Sequence, residues 1–300
     1  MNPKTTFYFS LLALWFCNFL AFSCTENKAV IDSIPKLTLE EQIKTKIDGE
    51  ILPPLVANCF YGAYYRKAVS SVDYWLGIEG TVILPTLHYD LTRVNPIKPA
   101  TYLDNASVYL GGTSDGQETD IGMTWEVIRE LDGTISPDRK AFRPFLRRTA
   151  HKSGQTAVYI NAPAESKYYW YPGDKITMSI QVIEAKKIKF MVSGAGKTYE
   201  TIFDVDGYQP DIKANYKRVN AIDQVANEGK PVQTTTAKAL GSEWLEVNLF
   251  RSLNAVIVKT PMHTKRFTDM RCPDSRNFEI IPNTTTTSGE KIAIYGTIKQ

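Results

Sequence analysis

The 300-residue chain has little histidine and no large excess of charge of either sign. Its 35 lysine and arginine residues nearly balance 32 aspartate and glutamate residues, giving a net charge of +3. Without a long basic stripe, the chain lacks the electrostatic footprint of a nucleic-acid-binding protein, and we expect no such partner. The three histidines, His88, His151 and His263, are scattered and none lies near a cysteine. This spacing argues against a zinc site.

Signatures of other metals, cofactors and nucleophiles are also missing. The acidic turn at residues 115–120 lacks the alternating ligands of an EF-hand, so we expect a solvated turn rather than a calcium site. The sequence has no GxSxG elbow and no Cys/His pair with a family signature. The glycines at 111 and 112 lie between two predicted strands rather than before a helix, which is a poor match to a phosphate-binding loop. We therefore expect no metal and no cofactor.

Only one apolar run approaches the length of a membrane span. Lys4 precedes a mostly apolar run at residues 7–22, and small residues, Ala21 and Ser23, come shortly before Cys24. The run is short for a spanning helix, which needs about 20 residues, and it predicts a secretory signal peptide at residues 1–23.

The end of this signal resembles a bacterial lipobox, Leu-Ala-Phe-Ser-Cys at residues 20–24. Cys24 would then carry the lipid, residues 24–36 would form a tether, and the chain would be a lipoprotein of a bacterial outer membrane or cell surface. Cleavage at the same bond by an ordinary signal peptidase is the alternative, because its preference for small residues is also met.

Two of the four cysteines, Cys59 and Cys272, lie in the exported part of the chain. An oxidising compartment favours a disulfide between them. Two buried free thiols are the alternative.

The clearest structural pattern lies at residues 168–205. Apolar and polar residues alternate along 176–182 and 187–192, and a Ser-Gly-Ala-Gly turn at 193–196 leads into a third alternating run. Alternation with one apolar face, closed by glycine-rich turns, predicts an antiparallel meander with one face in water.

Most of the remaining chain also favours strands, separated by turns rich in Gly, Pro, Asn and Asp. This predicts an all-β fold, a two-sheet antiparallel sandwich or jelly roll over residues 37–300, with one short helix at 37–47. The basic stretch at 138–152 is interpreted as a solvated loop, with a polyanion contact as the alternative. Outside the meander the predicted strands are 72–78, 81–84, 107–110, 121–130, 156–160, 216–222, 244–250, 255–258, 278–281 and 292–298.

Aromatic residues on predicted strands are candidates for ligand binding. Flat rings on a sheet stack on sugar rings, and neighbouring polar groups orient the ligand. The candidates for such a platform are Trp75, Trp125, Tyr169 and Trp170. Packing in the core of a sandwich is the alternative for each tryptophan.

Glu126, next to Trp125, is the best candidate for carboxylate catalysis. Glycoside hydrolases use two carboxylates, and Glu79, Glu118 or Glu165 could supply the second. Alternation in this strand places Glu126 on the face opposite Trp125, so simple solvent exposure of Glu126 is the alternative.

Four segments resemble the glutamic peptidases (eqolisins), in the same chain order. WLGIEG at 75–80 resembles their W-x-G-I-D-G strand, and YYWYP at 168–172 resembles their Y-E-W-Y-P segment. GDKIT at 173–177 and KTYETIF at 197–203 resemble the strands that follow. The resemblance implies a concanavalin A-like double sheet with a concave face.

The same resemblance implies that the peptidase activity is absent. The family's catalytic Glu falls at Tyr169 in this chain, and its catalytic Gln falls near Met123. Neither residue can polarise water or deliver a proton as the Gln/Glu pair does.

The sequence therefore favours an exported, lipid-anchored sandwich that binds a carbohydrate or peptide ligand on an aromatic-lined concave sheet. A glycoside hydrolase that uses Glu126 as acid or base, and a non-catalytic structural surface protein, are the alternatives.

The lipid on Cys24 can be tested directly. We expect a radioactive fatty acid fed to expressing cells to label the wild-type chain but not the Cys24→Ser variant. An unlabelled wild-type protein would contradict the predicted anchor.

Overall fold

Strands are the main regular structure in the described part of the chain. The computed structural model describes residues 47–96, 101–126, 128, 132, 134, 141–253, 255–283 and 288–298. The predicted signal peptide, the tether, Cys24 and the helix predicted at 37–47 lie outside these residues, apart from Ile47. The helices among the described residues are two short 3-10 turns, Ser166–Tyr168 and Ser275–Asn277, and no described helix could cross a membrane.

The structure describes sixteen strands. In chain order they are β1 (Ala63–Ser70), β2 (Trp75–Ile83), β3 (Thr86–His88), β4 (Asp104–Ser114), β5 (Gln117–Glu126), β6 (Ala141–Arg148), β7 (Val158–Asn161), β8 (Lys175–Glu184), β9 (Lys187–Gly194), β10 (Lys197–Asp204), β11 (Ala214–Gln224), β12 (Lys238–Leu253), β13 (Val256–Pro261), β14 (Phe267–Cys272), β15 (Phe278–Pro282) and β16 (Glu290–Tyr295).

Two antiparallel sheets form from these strands. The seven-stranded sheet has the order β14-β1-β11-β4-β5-β6-β7. The nine-stranded sheet has the order β10-β9-β8-β2-β12-β16-β15, and β3 and β13 also pair with β12. One large cluster of buried side chains takes residues from both sheets, so the two sheets pack face to face. The predicted two-sheet β-sandwich is therefore confirmed.

The predicted meander corresponds to β8, β9 and β10. Exposed or partly exposed residues alternate with buried or less exposed ones along β9 and β10, as the sequence pattern predicts. Ala195 and Gly196 connect β9 to β10, with φ of 50° and 73°. Two positive φ angles in a two-residue loop give the turn whose twist matches the flanking strands.

The interpretation of residues 138–152 as a solvated loop is wrong for residues 141–148, which form β6. This strand pairs with both β5 and β7. Phe142 and Leu146 point into the core, while Arg143 and Arg147 alternate with them on the other face. The arginines and Pro144 hid the strand, because charged residues and proline are rare inside a central strand.

A buried ion network joins the two sheets. Arg66 of β1 and Arg218 of β11 both contact Glu290 of β16, with nitrogen–oxygen distances of 2.9 and 2.7 Å. All three side chains are buried. Burial alone would raise the pKa of Glu290, but the two guanidinium groups outweigh it and lower this pKa to about 2.

Replacement of Glu290 should therefore destabilise the fold strongly. Glu290→Gln removes the counter-ion of the buried Arg218 and leaves Arg66 with Asp269 alone, and we expect the free energy of unfolding to fall by about 3–5 kcal/mol in urea denaturation. The control is Glu200→Gln, which removes an exposed pair with Lys189 and should cost no more than about 1 kcal/mol.

The pH dependence has a defined sign. Because the folded-state pKa of Glu290 is lowered, its stabilising effect is complete above the usual glutamate pKa of about 4.3 and is lost as the pH falls towards 2. An equal stability loss in the two variants would contradict a central role for this ion network.

Candidate functional site

One face of the seven-stranded sheet packs against the nine-stranded sheet, and its opposite face carries several ionisable side chains. We call the face that points away from the nine-stranded sheet the outer face. Along β5, Ile121, Met123 and Trp125 enter the core, so Asp120 and Glu126 lie on the outer face. A separate buried cluster also lies here: Ala63, Tyr65, Tyr109, Phe145, Val219, Ala221, Met270 and Cys272.

Aromatic rings border the outer face on two sides. On one side, the ring of Phe60 stacks on Tyr65 with 3.9 Å between centroids. A disulfide between Cys59 and Cys272 of edge strand β14 holds this segment, with 5.8 Å between the two Cα atoms. On the other side, Tyr159 of β7 stacks on Phe145 with 5.8 Å between centroids. Phe60 and Tyr159 are exposed to solvent at these borders, whereas the cluster residues between them are buried.

A row of charged side chains crosses the outer face. Lys217 forms an ion pair with Asp120 at 2.7 Å and also contacts Glu118, and Asp120 further pairs with Arg147. Burial alone would raise the pKa of Asp120, but Lys217 and Arg147 outweigh it and hold this pKa below its usual value. In register across five neighbouring strands, the row is Lys217, Gly111, Asp120, Arg147 and Tyr159.

Gly111 is the residue that allows this row to form. A Cβ atom at this position would lie 2.8 Å from Cε of Lys217 and 2.1 Å from the backbone oxygen of Thr119. Without a side chain at Gly111, Lys217 can cross β4 and reach Asp120. The glycine therefore has a packing role, and the sequence interpretation rightly rejected a phosphate loop.

Asp223 is a carboxyl group on the outer face whose neighbours do not include a cation. It accepts a hydrogen bond from the Ser107 hydroxyl at 2.6 Å, and it has no ion-pair partner among the described residues. Burial, followed by the negative charges of Asp120 and Glu228, raises the pKa of Asp223 to about 6, although the Ser107 hydrogen bond opposes the shift. Such a group exchanges a proton near neutral pH, as a general acid or base must.

Glu126 lies on the same face. It belongs to β5 and Asp223 belongs to β11, and β4 lies between these two strands. Arg143 pairs with Glu126 at 2.9 Å. Asp223 is opposite Asn105 of β4, and continuing the β4–β5 register by two residue pairs places Asn105 opposite Glu126. Two strand spacings separate the Cα atoms of Asp223 and Glu126 by about 10 Å. This allows the two carboxyl groups to flank a ligand.

The predicted site residues divide into two groups. Glu126 and Tyr169 lie near each other: burial raises the pKa of Tyr169, and the charges of Arg143 and Glu126 also act on it. Tyr169 is nevertheless buried, with 3% of its surface exposed. The ring of Tyr169 is therefore not accessible to a ligand.

The three tryptophans do not form the predicted platform. Trp75 and Trp170 are at most 1% exposed, and their indole N–H groups donate to the backbone oxygens of Ser71 and Gly194. Trp125 packs edge-on against Phe142 in the core. Alternation along each strand directs these rings between the sheets, so the core alternative is correct for all three.

The proposed partners of Glu126 are also separated from it. Glu79 lies on the other sheet and pairs with Lys259, and Glu165 is an exposed residue paired with Lys167. Glu118 lies on the outer face, but at the opposite end of β5. Among the described residues, no group of three His, Cys, Asp or Glu side chains is placed to hold a metal ion.

Sequence reasoning missed Asp223, Tyr159 and Lys217. A signal for two of them was present, because Lys217, Val219, Ala221 and Asp223 alternate with the core residues of β11. That alternation extends the predicted strand at 216–222 to include Asp223.

Comparison with known proteins shows fold similarity only. No protein-family model matches the chain, and no curated protein matches its sequence. Solved structures that resemble it include Scytalido-glutamic peptidase with a peptide-based transition-state analogue, at a TM-score of 0.43 and 10% identity over 78% of this chain and 98% of that one. The glutamic peptidases are thus among the structures that the chain resembles, as the sequence motifs predict.

Glycan-active enzymes also occur among the similar structures. The alginate lyase from Klebsiella pneumoniae has a TM-score of 0.39 and 9% identity, over 59% of each chain. A glycoside hydrolase family 16 endo-glucanase from Bacteroides ovatus has a TM-score of 0.33 and 13% identity, over 58% of this chain and 76% of that one. Because these TM-scores are below 0.5, they say nothing about the ligand of this protein.

Asp223 should make stability depend on pH in a direction opposite to Glu290. Its folded-state pKa is raised, so its own contribution to stability is most favourable below the usual aspartate pKa of about 3.9 and is lost as the pH rises through about 6. Asp223→Asn removes the ionised form. We expect the variant to be more stable than wild type at pH 8 by about 1–3 kcal/mol, with a smaller difference at pH 4.

Urea denaturation at the two pH values measures this difference. The exposed Asp211→Asn variant is the control and should differ from wild type equally at both values. A loss of stability in Asp223→Asn that is larger at pH 8 than at pH 4 would contradict the assignment.

Proposed function

We propose that the outer face binds a carbohydrate, or a ligand with similar hydroxyl-rich chemistry. The observation that carries the proposal is the open ring of Tyr159, stacked on Phe145, near the two carboxyl groups of Asp223 and Glu126. Tyr159 is 55% exposed, so a ligand can reach it. The charges of both carboxyl groups act on Tyr159, which supports their placement around one site.

The two kinds of group have complementary roles in sugar binding. A ring presents a flat apolar surface to the C–H face of a sugar, and carboxylates accept hydrogen bonds from its hydroxyls. Arg143 supplies N–H donors at the same end of the face. The platform in this proposal is the exposed ring of Tyr159, which the buried ring of Phe145 supports, in place of the three tryptophans.

The ring of Tyr159 is the most direct test. We expect Tyr159→Ala to weaken binding to those members of a soluble polysaccharide panel that the wild type binds, by about threefold to tenfold in affinity electrophoresis, because stacking is lost. Tyr295→Ala is the matched control, since Tyr295 is a partly exposed tyrosine on β16 of the other sheet.

Two results would contradict the proposal. If Tyr159→Ala and Tyr295→Ala weakened binding equally, the ligand would not bind specifically to the outer face. No binding to any polysaccharide would favour the alternative of a structural surface protein.

Catalysis is a second candidate function because Asp223 and Glu126 lie on one face with their Cα atoms about 10 Å apart. Carboxyl groups about 6.5–9.5 Å apart serve inverting glycosidases, with one group as acid and the other as base. Asp223, with a pKa of about 6, fits the acid, and Glu126 fits the base. Reducing-sugar release from the bound polysaccharides should then be abolished by Glu126→Gln and by Asp223→Asn, while binding persists. If the wild type released no reducing sugar, catalysis would be excluded and only the binding function would stand.

We also propose that the protein is exported and anchored through a lipid on Cys24. The N-terminal sequence supports this, and the disulfide between Cys59 and Cys272 suits an oxidising compartment. A peptide is the other ligand class that the sequence favoured. Peptidase chemistry is not proposed, because Tyr169 occupies the position of the catalytic Glu.

A further inference from the structure

We propose that the ligand of the outer face carries an anionic group, a carboxylate or a sulfate, and that Lys67 binds this group. The inference rests on the proposed function, because it names a chemical class for the ligand of the same face. Lys67 lies on β1, opposite Met270 of β14 on one side and Val219 of β11 on the other. Both neighbours belong to the buried cluster of the outer face, so Lys67 is an ammonium group placed in apolar surroundings.

The neighbouring carboxylates are already occupied by other cations. Lys217 contacts Glu118 and Asp120, and Asp120 also pairs with Arg147. Lys67 has no ion-pair partner among the described residues. Its ammonium group lies over the ring of Phe60, 5.7 Å from the ring centroid.

A count of charges in this group gives a positive surplus. The cations Lys67, Lys217 and Arg147 share two carboxylates, Glu118 and Asp120, which leaves one positive charge without a partner. A buried or half-buried charge without a counter-ion is unfavourable, and an incoming anion would relieve it. This surplus is local and favours an anionic group beside Lys67, whereas Asp223 on the same face is mostly ionised at pH 7.

The titration of Lys67 agrees with this geometry. Burial, followed by the positive charge of Lys217, lowers the pKa of Lys67 to about 8, although Glu118 and Asp120 act in the opposite direction. The charged groups that face Lys67 are thus Lys217, Glu118 and Asp120. At pH 7 the side chain of Lys67 is mostly protonated and positively charged. An anion bound beside Lys67 would raise its pKa.

The site also has a place for the rest of the ligand. Phe60 borders the face next to Lys67, while Tyr159 borders it on the far side of the sheet. Five strand spacings separate β1 from β7 through β11, β4, β5 and β6, about 24 Å in all. A trimer spans only part of this width and can occupy the part beside Lys67 and Phe60, whereas a longer acidic oligosaccharide can extend to Tyr159.

Three trimers of one length separate the possible ligands. They are α-1,4-linked galacturonic acid, the neutral galactose trimer, and the galactose trimer with sulfate groups, each titrated calorimetrically at pH 7. We expect the wild type to bind at least one acidic trimer more tightly than the neutral one. Lys67→Met should weaken that acidic binding by about tenfold and leave neutral binding unchanged, since a charged contact is lost.

Lys291→Met is the matched control, because it removes an exposed lysine from β16 of the other sheet. It should change neither affinity. Equal weakening by the two variants would show long-range charge attraction only and would overturn the contact. The preference between uronate and sulfate identifies which anionic group the site takes.

A second measurement uses the wild-type protein and does not depend on the variant folding. Lysine labelled with 13C at Cε allows the pKa of Lys67 to be followed by NMR, and we expect it to rise when the acidic trimer binds. An unchanged pKa would overturn the inference. Equal affinity of the wild type for neutral and acidic trimers would overturn the inference and leave the proposed function standing, whereas no binding of any trimer would overturn both.

Discussion

Alternation of side chains along the strands of the seven-stranded sheet decides where the functional groups of this protein lie. One face of that sheet is used by the hydrophobic core, so each strand must direct its other residues to the outer face. In β5 this rule separates Trp125, which packs in the core, from Glu126, which faces outward. The same rule removes the tryptophans from any ligand surface and leaves tyrosine and phenylalanine rings there.

Charges on the outer face are tolerated because most of them are paired. A half-buried carboxylate or ammonium group needs a counter-ion or hydrogen bonds to offset its loss of hydration. Lys217, Asp120 and Arg147 satisfy this requirement with one another. Asp223, which accepts one hydrogen bond from Ser107, and Lys67 have no ion-pair partner among the described residues, and both have a pKa shifted towards neutrality, to about 6 and about 8. Groups left without a partner by the protein itself are the ones available to a ligand.

Rigidity of the support follows from the same packing. Glu290 joins Arg66 and Arg218 between the sheets, behind the strands that carry Lys67 and Asp223. On the edge of the sheet, the disulfide fixes the segment that carries Phe60. Residues that contact a ligand on the outer face are therefore held by strands whose other face is fixed in the core.

Local patterns in the sequence were sufficient to predict part of this structure. The meander of β8, β9 and β10 and the two faces of β5 follow from period-two alternation, and Cys59 and Cys272 form the disulfide that the sequence favoured. The outer face could not be assembled in the same way. Asp223 and Glu126 come close only through the pairing of β11 with β4, two strands that are about 100 residues apart in the chain.

Other errors have a local cause. Pro144 and the arginines of β6 masked a strand that lies between β5 and β7. Tryptophans looked like a ligand platform because composition does not reveal which face of a strand meets the second sheet. A buried and an exposed aromatic residue look the same in the sequence, and only the packing of the two sheets distinguishes them.

The central claim is that ligands bind to the outer face of the seven-stranded sheet. Mapping backbone amide shifts by NMR during titration with the galacturonic acid trimer tests it most directly. The account predicts that the shifted amides cluster on β1, β4, β5, β6, β7 and β11, between Phe60 and Tyr159. Shifts confined to the nine-stranded sheet, or no shifts on the outer face, would contradict it.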